Sequence, residues 1–138
     1  RTNFPKRIYI SRNDARWRRV VNEDEVLSLL GRYGFHTYTF GPESTLSLYE
    51  EAQLFNAADV LVAPHGAANN NIVVCSSGAK IIELFSLGHV RRCFRQVAAL
   101  CGLDYYYLIG DDVDYARHQD MHINIQALKN ILRLAKIT

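Results

Sequence analysis

The chain has 138 residues, 49% of them hydrophobic and 22% charged, which is enough for one domain with a sizeable core. A formal net charge of +2 gives no general affinity for nucleic acid, and no apolar run approaches the ~20 residues needed to cross a bilayer. Neither nucleic-acid binding nor a transmembrane segment is therefore expected.

From Arg7 to Ser11 the chain reads as a first strand, led in by Pro5 and followed by a polar, arginine-rich loop from Arg12 to Arg19. Arg1, Lys6, Arg7, Arg12, Arg16, Arg18 and Arg19 crowd this opening region against Asp14 alone. Such a local patch fits a compact anionic ligand, the alternative being a solvated basic edge. Asn22 with Glu25 forms a capping-box pattern, Glu23 and Asp24 complement the helix dipole, and Val26, Leu27, Leu30 and Tyr33 supply a buried stripe ending at Gly34. A second strand runs from Phe35 to Phe40. Ser47 and Glu50 then cap a second helix, whose inner face is expected to carry Leu48, Ala52, Phe55 and Ala58.

The stretch from Asp59 to Phe85 reads as an uninterrupted βαβ unit. Asp59 to Ala63 is a short apolar run without polar alternation, as in a parallel strand buried on both faces, and Pro64 should end it. His65-Gly66-Ala67-Ala68 turns the chain into a third helix that carries Asn69, Asn70 and Asn71 in its first turns. Amides exposed at such a helix start, with its positive dipole end, would attract a phosphate. Ser76-Ser77-Gly78 closes that helix. A fourth strand from Lys80 to Phe85 contains Glu83, an acid in an apolar run that requires a partner.

A fourth helix is expected from Val90 to Leu100, a fifth strand from Asp104 to Ile109, and a fifth helix from Asn124. Between the last two, residues 110–122 read as a polar surface loop whose carboxylates (Asp111, Asp112, Asp114, Asp120) are solvated rather than metal-bound. Five strands alternating with five helices imply an α/β fold: one three-layer Rossmann-like domain with a five-stranded parallel sheet in the order 2-1-3-4-5. That order brings the arginine loop beside the His65 loop in one crevice.

Cys75, Cys93 and Cys101 lack a C-x-x-C spacing and are expected as buried thiols of a reducing, cytoplasmic compartment, without zinc or disulfides. No signal peptide is read. The chain starts without Met, so a fragment or excised domain is expected. The dinucleotide G-x-G-x-x-G, the Walker loop and the G-x-S-x-G elbow are all missing, and no histidine pair has metal-ligand spacing, so no cofactor or metal is expected.

Tyr9-Ile10-Ser11-Arg12, Arg18-Arg19-Val20-Val21-Asn22-Glu23, Tyr33-Gly34-Phe35, Ala58-Asp59-Val60, Pro64-His65-Gly66-Ala67 with Asn71, and Ile82-Glu83-Leu84-Phe85 follow one another in an order that resembles glycosyltransferase family 61. This is the DUF563 group, with capsular-polysaccharide biosynthesis proteins and eukaryotic glycan transferases among its members. The resemblance implies the donor-binding half, over residues 1–138, of an inverting GT-B-type enzyme that moves a sugar from a nucleotide-diphosphate donor, a UDP-sugar, to a glycan acceptor. An amino-terminal acceptor domain or partner chain would complete it. Carried over by position, Arg12, Arg18, Arg19 and Asn22 would lie toward the diphosphate, and His65, Gly66, Ala67 and Asn71 would form the donor-side loop. Glu83 would sit near the ribose or brace the loops. His65 is the candidate general base, with a loop-bracing histidine as the alternative. The chain departs from the family pattern at Glu50-Glu51 and at Ala68-Asn69-Asn70. A nucleotide- or anion-binding or interaction module without transferase activity is the competing reading.

Overall fold

Short β-branched and aromatic segments too brief to fold alone are stable here because they pair side by side and are covered on both faces. The computed structural model describes residues 3–42, 44–113 and 118–138, so Arg1 and Asp114 lie outside the described residues. Strands β1 (Arg7–Ser11), β2 (His36–Thr39), β3 (Val60–Pro64), β4 (Lys80–Phe85) and β5 (Asp104–Ile109) form one parallel sheet in the expected order, β2-β1-β3-β4-β5. The register sets Tyr9 between Thr37 and Val62, and Ile82 between Val62 and Tyr106.

Four α-helices, α1 (Glu23–Arg32), α2 (Leu48–Ala57), α3 (Cys93–Cys101) and α4 (Ile125–Leu134), cover the sheet. On one face Tyr9, Val62, Ile82 and Leu84 pack with Val26, Leu30, Leu128 and Leu132 of α1 and α4. On the other, Ile8, Ile10, Leu61 and Ile81 pack with Leu54, Phe55, Phe94 and Ala98 of α2 and α3. Every residue of β3 is buried, which explains why its sequence shows no alternation. The ladder reaches Pro64, opposite Leu84, and ends just beyond it, where His65 N donates to Leu84 O at 2.9 Å.

The helix expected after β3 is a 3-10 helix, Ala67–Val74, rather than an α-helix. Three consecutive asparagines compete for the backbone with their own side chains, and Ile72-Val73-Val74 resist α-helical packing, so neither half favours the wider turn. The segment begins without a side-chain cap on the extended Gly66. The expected capping box at Ser47 and Glu50 is present, with Ser47 Oγ accepting from Glu50 N at 3.1 Å. Leu48, however, is 85% exposed at the tip of α2, and the buried stripe is Leu54, Phe55 and Ala58. Leu48 directly follows the cap Ser47, at the exposed start of the helix. Gly34 adopts φ +79 after α1, the left-handed residue that ends it.

Three further corrections concern the second half. Helix α3 starts at Cys93, not Val90, which is 41% exposed. Cys93 itself is exposed and Cys101 half-buried, leaving Cys75 as the buried thiol. The stretch read as a surface loop contains a two-stranded antiparallel ladder, β6 (Asp111–Asp112) with β7 (Met121–His122). Met121 is fully buried and Asp120 nearly so, because β7 stitches onto the arginine loop: Met121 N donates to Arg19 O and Val21 N to Met121 O, both at 2.9 Å. Among the described residues, no helix is long and apolar enough to cross a membrane.

Candidate functional site

The sheet order reverses between β1 and β3, so the loops leaving their carboxyl ends part to the two sides and open a crevice. It is a cleft of about 470 Å³ whose lining includes Ser11, Arg12, Asp14, Glu51, Gly66 and Asn71. A hollow of about 540 Å³ along α2, beside Phe4, Tyr49 and Gln53, has Lys6 as its single charged lining residue among the described residues and lies away from the strands' carboxyl ends.

Arg12 crosses the cleft. Its Nε and Nη2 donate to Trp17 O at 3.3 and 2.9 Å, and its guanidinium rests against the α-carbon of Gly66. Arg18 reaches the same loop from the other side, donating through Nε to His65 O at 3.3 Å. The arginine loop and the His65 loop, fifty residues apart in sequence, thus meet through both arginines, as the sheet order requires. Arg18 adopts φ +58, a left-handed conformation costly for a residue with a Cβ. It is held there by the bond from Arg18 N to His118 O at 2.9 Å.

Arg12 and Arg18 form no ion pair with a carboxylate among the described residues. Burial first, then the charge of Arg18, lowers the pKa of Arg12, which Asp14 partly opposes; burial and Arg91 lower that of Arg18. Neither Glu83 nor Glu51 forms a salt bridge with Arg12. The two guanidinium groups thus repel each other, with Asp14 of the cleft lining as a partial counterweight to Arg12.

Glu83 finds other partners. It is 1% exposed, accepts from His65 Nδ1 at 2.6 Å and from Tyr105 Oη at 2.5 Å, and lies 3.4 Å from Asn69 Nδ2. Tyr105 is correspondingly harder to ionise, from burial and then from its bond to Glu83. The His65 ring packs beside Phe85, Phe94 and His89 at centroid distances of 5.5, 5.1 and 5.3 Å, on the β4 side of its loop. Its side chain is 10% exposed and does not line the β1–β3 cleft. Asn69 Oδ1 is buried without a hydrogen-bond partner.

Two expected site residues are drawn elsewhere. Arg19 pairs with Asp120 at 3.4 Å, and Asp120 also accepts from Arg19 N at 2.9 Å. Asn22 sits at the N-cap of α1 but makes no capping bond; it holds Ile123, donating to its carbonyl at 2.8 Å and accepting from its amide at 2.9 Å. Ala67 opens the 3-10 helix, and Asn71, half-buried, keeps its place in the cleft lining. Below the loop, the buried Glu23 accepts from Tyr9 Oη and Ser11 Oγ, both at 2.8 Å, so it supports the carboxyl end of β1 rather than only the helix dipole. Burial and Glu23 together push the Tyr9 pKa well up.

The sequence reading missed His89 and Arg91, on the loop between β4 and α3. Both act electrostatically on this cluster: Arg91 on Arg18, and His89 with Arg18, Arg91, His65 and Arg12. The signal available was position, since that loop leaves the carboxyl end of a strand adjacent to β3. Among the described residues no group of three or more His, Cys, Asp or Glu is placed to hold a metal ion.

A parallel sheet in this order, with helices on both faces and loops parting at its switch point, defines an α/β domain of the doubly wound class. The model of the family Glycosyltransferase 61 matches residues 1–82, which span both the arginine loop and the His65 loop. The chain belongs to that family. It is 29% identical over 104 residues to a xylan glycosyltransferase of Arabidopsis thaliana, covering 73% of this chain and 21% of that protein. Over 113 residues it is 31% identical to an alpha-1,3-arabinosyltransferase of Oryza sativa subsp. japonica, covering 78% of this chain and 19% of that one. The chain thus spans about a fifth of the length of these relatives.

Proposed function

We propose that this domain is the donor-binding half of an inverting, GT-B-type glycosyltransferase that takes a UDP-sugar and delivers the sugar to a glycan acceptor. The observation that carries the reading is the meeting of Arg12 and Arg18, neither paired with a carboxylate among the described residues, over Gly66 and His65. Guanidinium groups pair with phosphate oxygens by charge-assisted hydrogen bonds, each contributing about 1.5 to 3 kcal/mol. In transfer, those charges would stabilise the departing diphosphate while a base takes the acceptor hydroxyl's proton. Asn71 in the cleft lining is available to the sugar or the ribose.

His65 serves in this reading as the brace of the donor loop, since its imidazole is buried and fixed by Glu83. The general base then comes from the acceptor half, supplied by an amino-terminal domain or a partner chain. Arg19 and Asn22 act indirectly, by anchoring the arginine loop to Asp120 and Ile123.

A panel of nucleotide-sugars read by thermal shift tests the assignment. UDP-sugars are expected to raise the melting temperature, and Arg12→Ala to abolish the rise. No response to any member of the panel would leave an interaction module instead. Sugar transfer assayed with and without the amino-terminal domain separates a transferase half from a binding-only module. In that assay His65→Gln should weaken donor binding and turnover together; a loss of kcat by about 10²-fold or more at unchanged donor affinity would make it the base.

A further inference from the structure

A separate hollow of about 200 Å³ lies where the start of α3 meets β5, the edge strand of the sheet among the described residues. Alternation along β5 puts Tyr105, Tyr107 and Ile109 on one face, and the register sets Tyr107 beside Glu83 and Ile109 beside Phe85. The floor is aromatic. The buried Phe85 meets the Tyr107 ring edge-on at a centroid distance of 6.2 Å, and the Tyr105 ring lies 6.4 Å from that of Tyr107. Tyr105 is fixed by its bond to Glu83, while Tyr107 is 50% exposed. The rim is cationic: the exposed side chains of Arg91, Arg92 and Arg95 line it, with no acid among the described lining residues. None of the three forms a salt bridge among the described residues. Nor do they serve the helix, since α3 has no acid in its first turn and cations there oppose its dipole.

We propose that this hollow seats a uronic acid unit of a glycan, its sugar ring against Tyr107 and its carboxylate on the arginines. Each part of the hollow selects one feature of that ligand. A tyrosine ring offers a rigid apolar face with a polar tip, which suits the C–H face of a pyranose edged by hydroxyls. A guanidinium fork matches the two oxygens of a carboxylate. The small volume admits one ring and leaves the neighbouring sugars outside. Phosphate or sulfate would satisfy the arginines and leave the aromatic floor unused; a neutral sugar would do the reverse. A glycan, in preference to an acidic peptide, follows from membership of the family Glycosyltransferase 61. Among the described residues none lines both this hollow and the β1–β3 cleft, and all of its lining lies beyond residue 82, where the family match ends. The proposal therefore requires the family and not the UDP-sugar reading.

Calorimetry of this chain with trigalacturonate, its methyl ester and xylotriose, in the absence of nucleotide, tests the assignment. Trigalacturonate is expected to bind, and esterification, which removes the charge and keeps the rings, to weaken binding about tenfold or more. Xylotriose should bind no better than the ester. The double variant Arg92→Gln, Arg95→Gln alters exposed side chains, so its melting temperature should match wild type while its preference for the acid over the ester disappears. Tyr107→Val keeps a strand-forming residue and should weaken the acid and the ester alike. Arg12→Ala, which alters the β1–β3 cleft, should bind trigalacturonate as wild type does. No binding of trigalacturonate, equal affinity for acid and ester, or an unchanged preference in the arginine variant would overturn the proposal. So would displacement by sulfate at equal concentration, binding of triglutamate as tight as that of trigalacturonate, or loss of binding in Arg12→Ala. Failure of UDP-sugars to bind would remove the donor reading and leave this site standing.

Discussion

The guanidinium of Arg12 occupies the space where a side chain at residue 66 would begin: its Cζ and Cδ lie 3.0 and 3.2 Å from the position of a Cβ built on Gly66. Gly66 has φ −179, an extended conformation open to any residue, so its glycine is required by Arg12 and not by the backbone. Gly66→Ala should consequently leave the unliganded fold intact. Apo stability should change by less than about 1 kcal/mol, since alanine in an extended position also restricts the unfolded chain. Nucleotide binding, in contrast, should weaken about tenfold or more as Arg12 is pushed out of the cleft. Thermal shift with and without UDP checks both halves, and a variant that binds normally would show that the seat of Arg12 is immaterial.

Arg18 places its side chain on the His65 loop at the expense of a left-handed backbone, φ +58. Glycine adopts that conformation without a steric penalty. Arg18→Gly is expected to relieve strain while deleting the bond to His65 O, two effects of about 1 kcal/mol that oppose each other. Its apo melting temperature should stay near that of wild type, and its UDP-induced shift should vanish. Arg19→Ala, which loses only a half-exposed pair with Asp120, should keep that shift. Equal loss in the two variants would mean that loop anchoring, and not the Arg18 charge, governs binding.

Glu83 is the acid on which His65, Asn69 and Tyr105 converge, and removing it leaves buried polar groups without partners. Glu83→Ala is expected to cost about 3 to 5 kcal/mol in urea unfolding, the range for breaking a buried charged pair. Tyr105→Phe removes one bond to a charged group and should cost about 1.5 to 3 kcal/mol. The double variant should be less destabilised than the sum, because the Tyr105 bond no longer exists once Glu83 is gone. Strict additivity would show that the two do not interact.

The architecture was legible because its signals are local and repeated: apolar runs at β1, β3 and β4, caps at Ser47 and Asn124, and glycines at 34 and 102 ending helices. Strand order followed from connectivity alone. The errors arose where tertiary contacts decide. Leu48 has a helical spacing to Ala52 and Phe55 but is the exposed first residue after the cap, and Asp120 and Met121 look like loop residues until β7 is seen to dock on the arginine loop. At the site, Arg12, Arg18, His65 and Gly66 were readable because they flank two strands that must be neighbours. Arg19 and Asn22 stand in the same run but point to partners 101 residues away, Asp120 and Ile123, which no local pattern encodes. The electrostatic contact of His89 and Arg91 with Arg18 was hidden for the opposite reason: nothing in their own sequence marks them, and the contact arises only in the folded sheet.

That placement of His89 also sets a pH dependence of folding. In the unfolded chain its imidazole returns to an ordinary pKa near 6.5, whereas in the native domain burial and then Arg18, Arg91, His65 and Arg12 hold it at about 4. Between these values unfolding takes up a proton that the native state refuses, so the His89 contribution destabilises the fold progressively as pH falls from about 6.5 toward 4. Below the native value both states are protonated and the contribution levels off; above pH 7 it is absent. Urea unfolding of wild type and His89→Gln at several points from pH 5 to 7.5 isolates it. The stability of wild type relative to the variant should decline steadily toward pH 5 and be constant above pH 7. A difference independent of pH would mean that His89 is free of the arginine field.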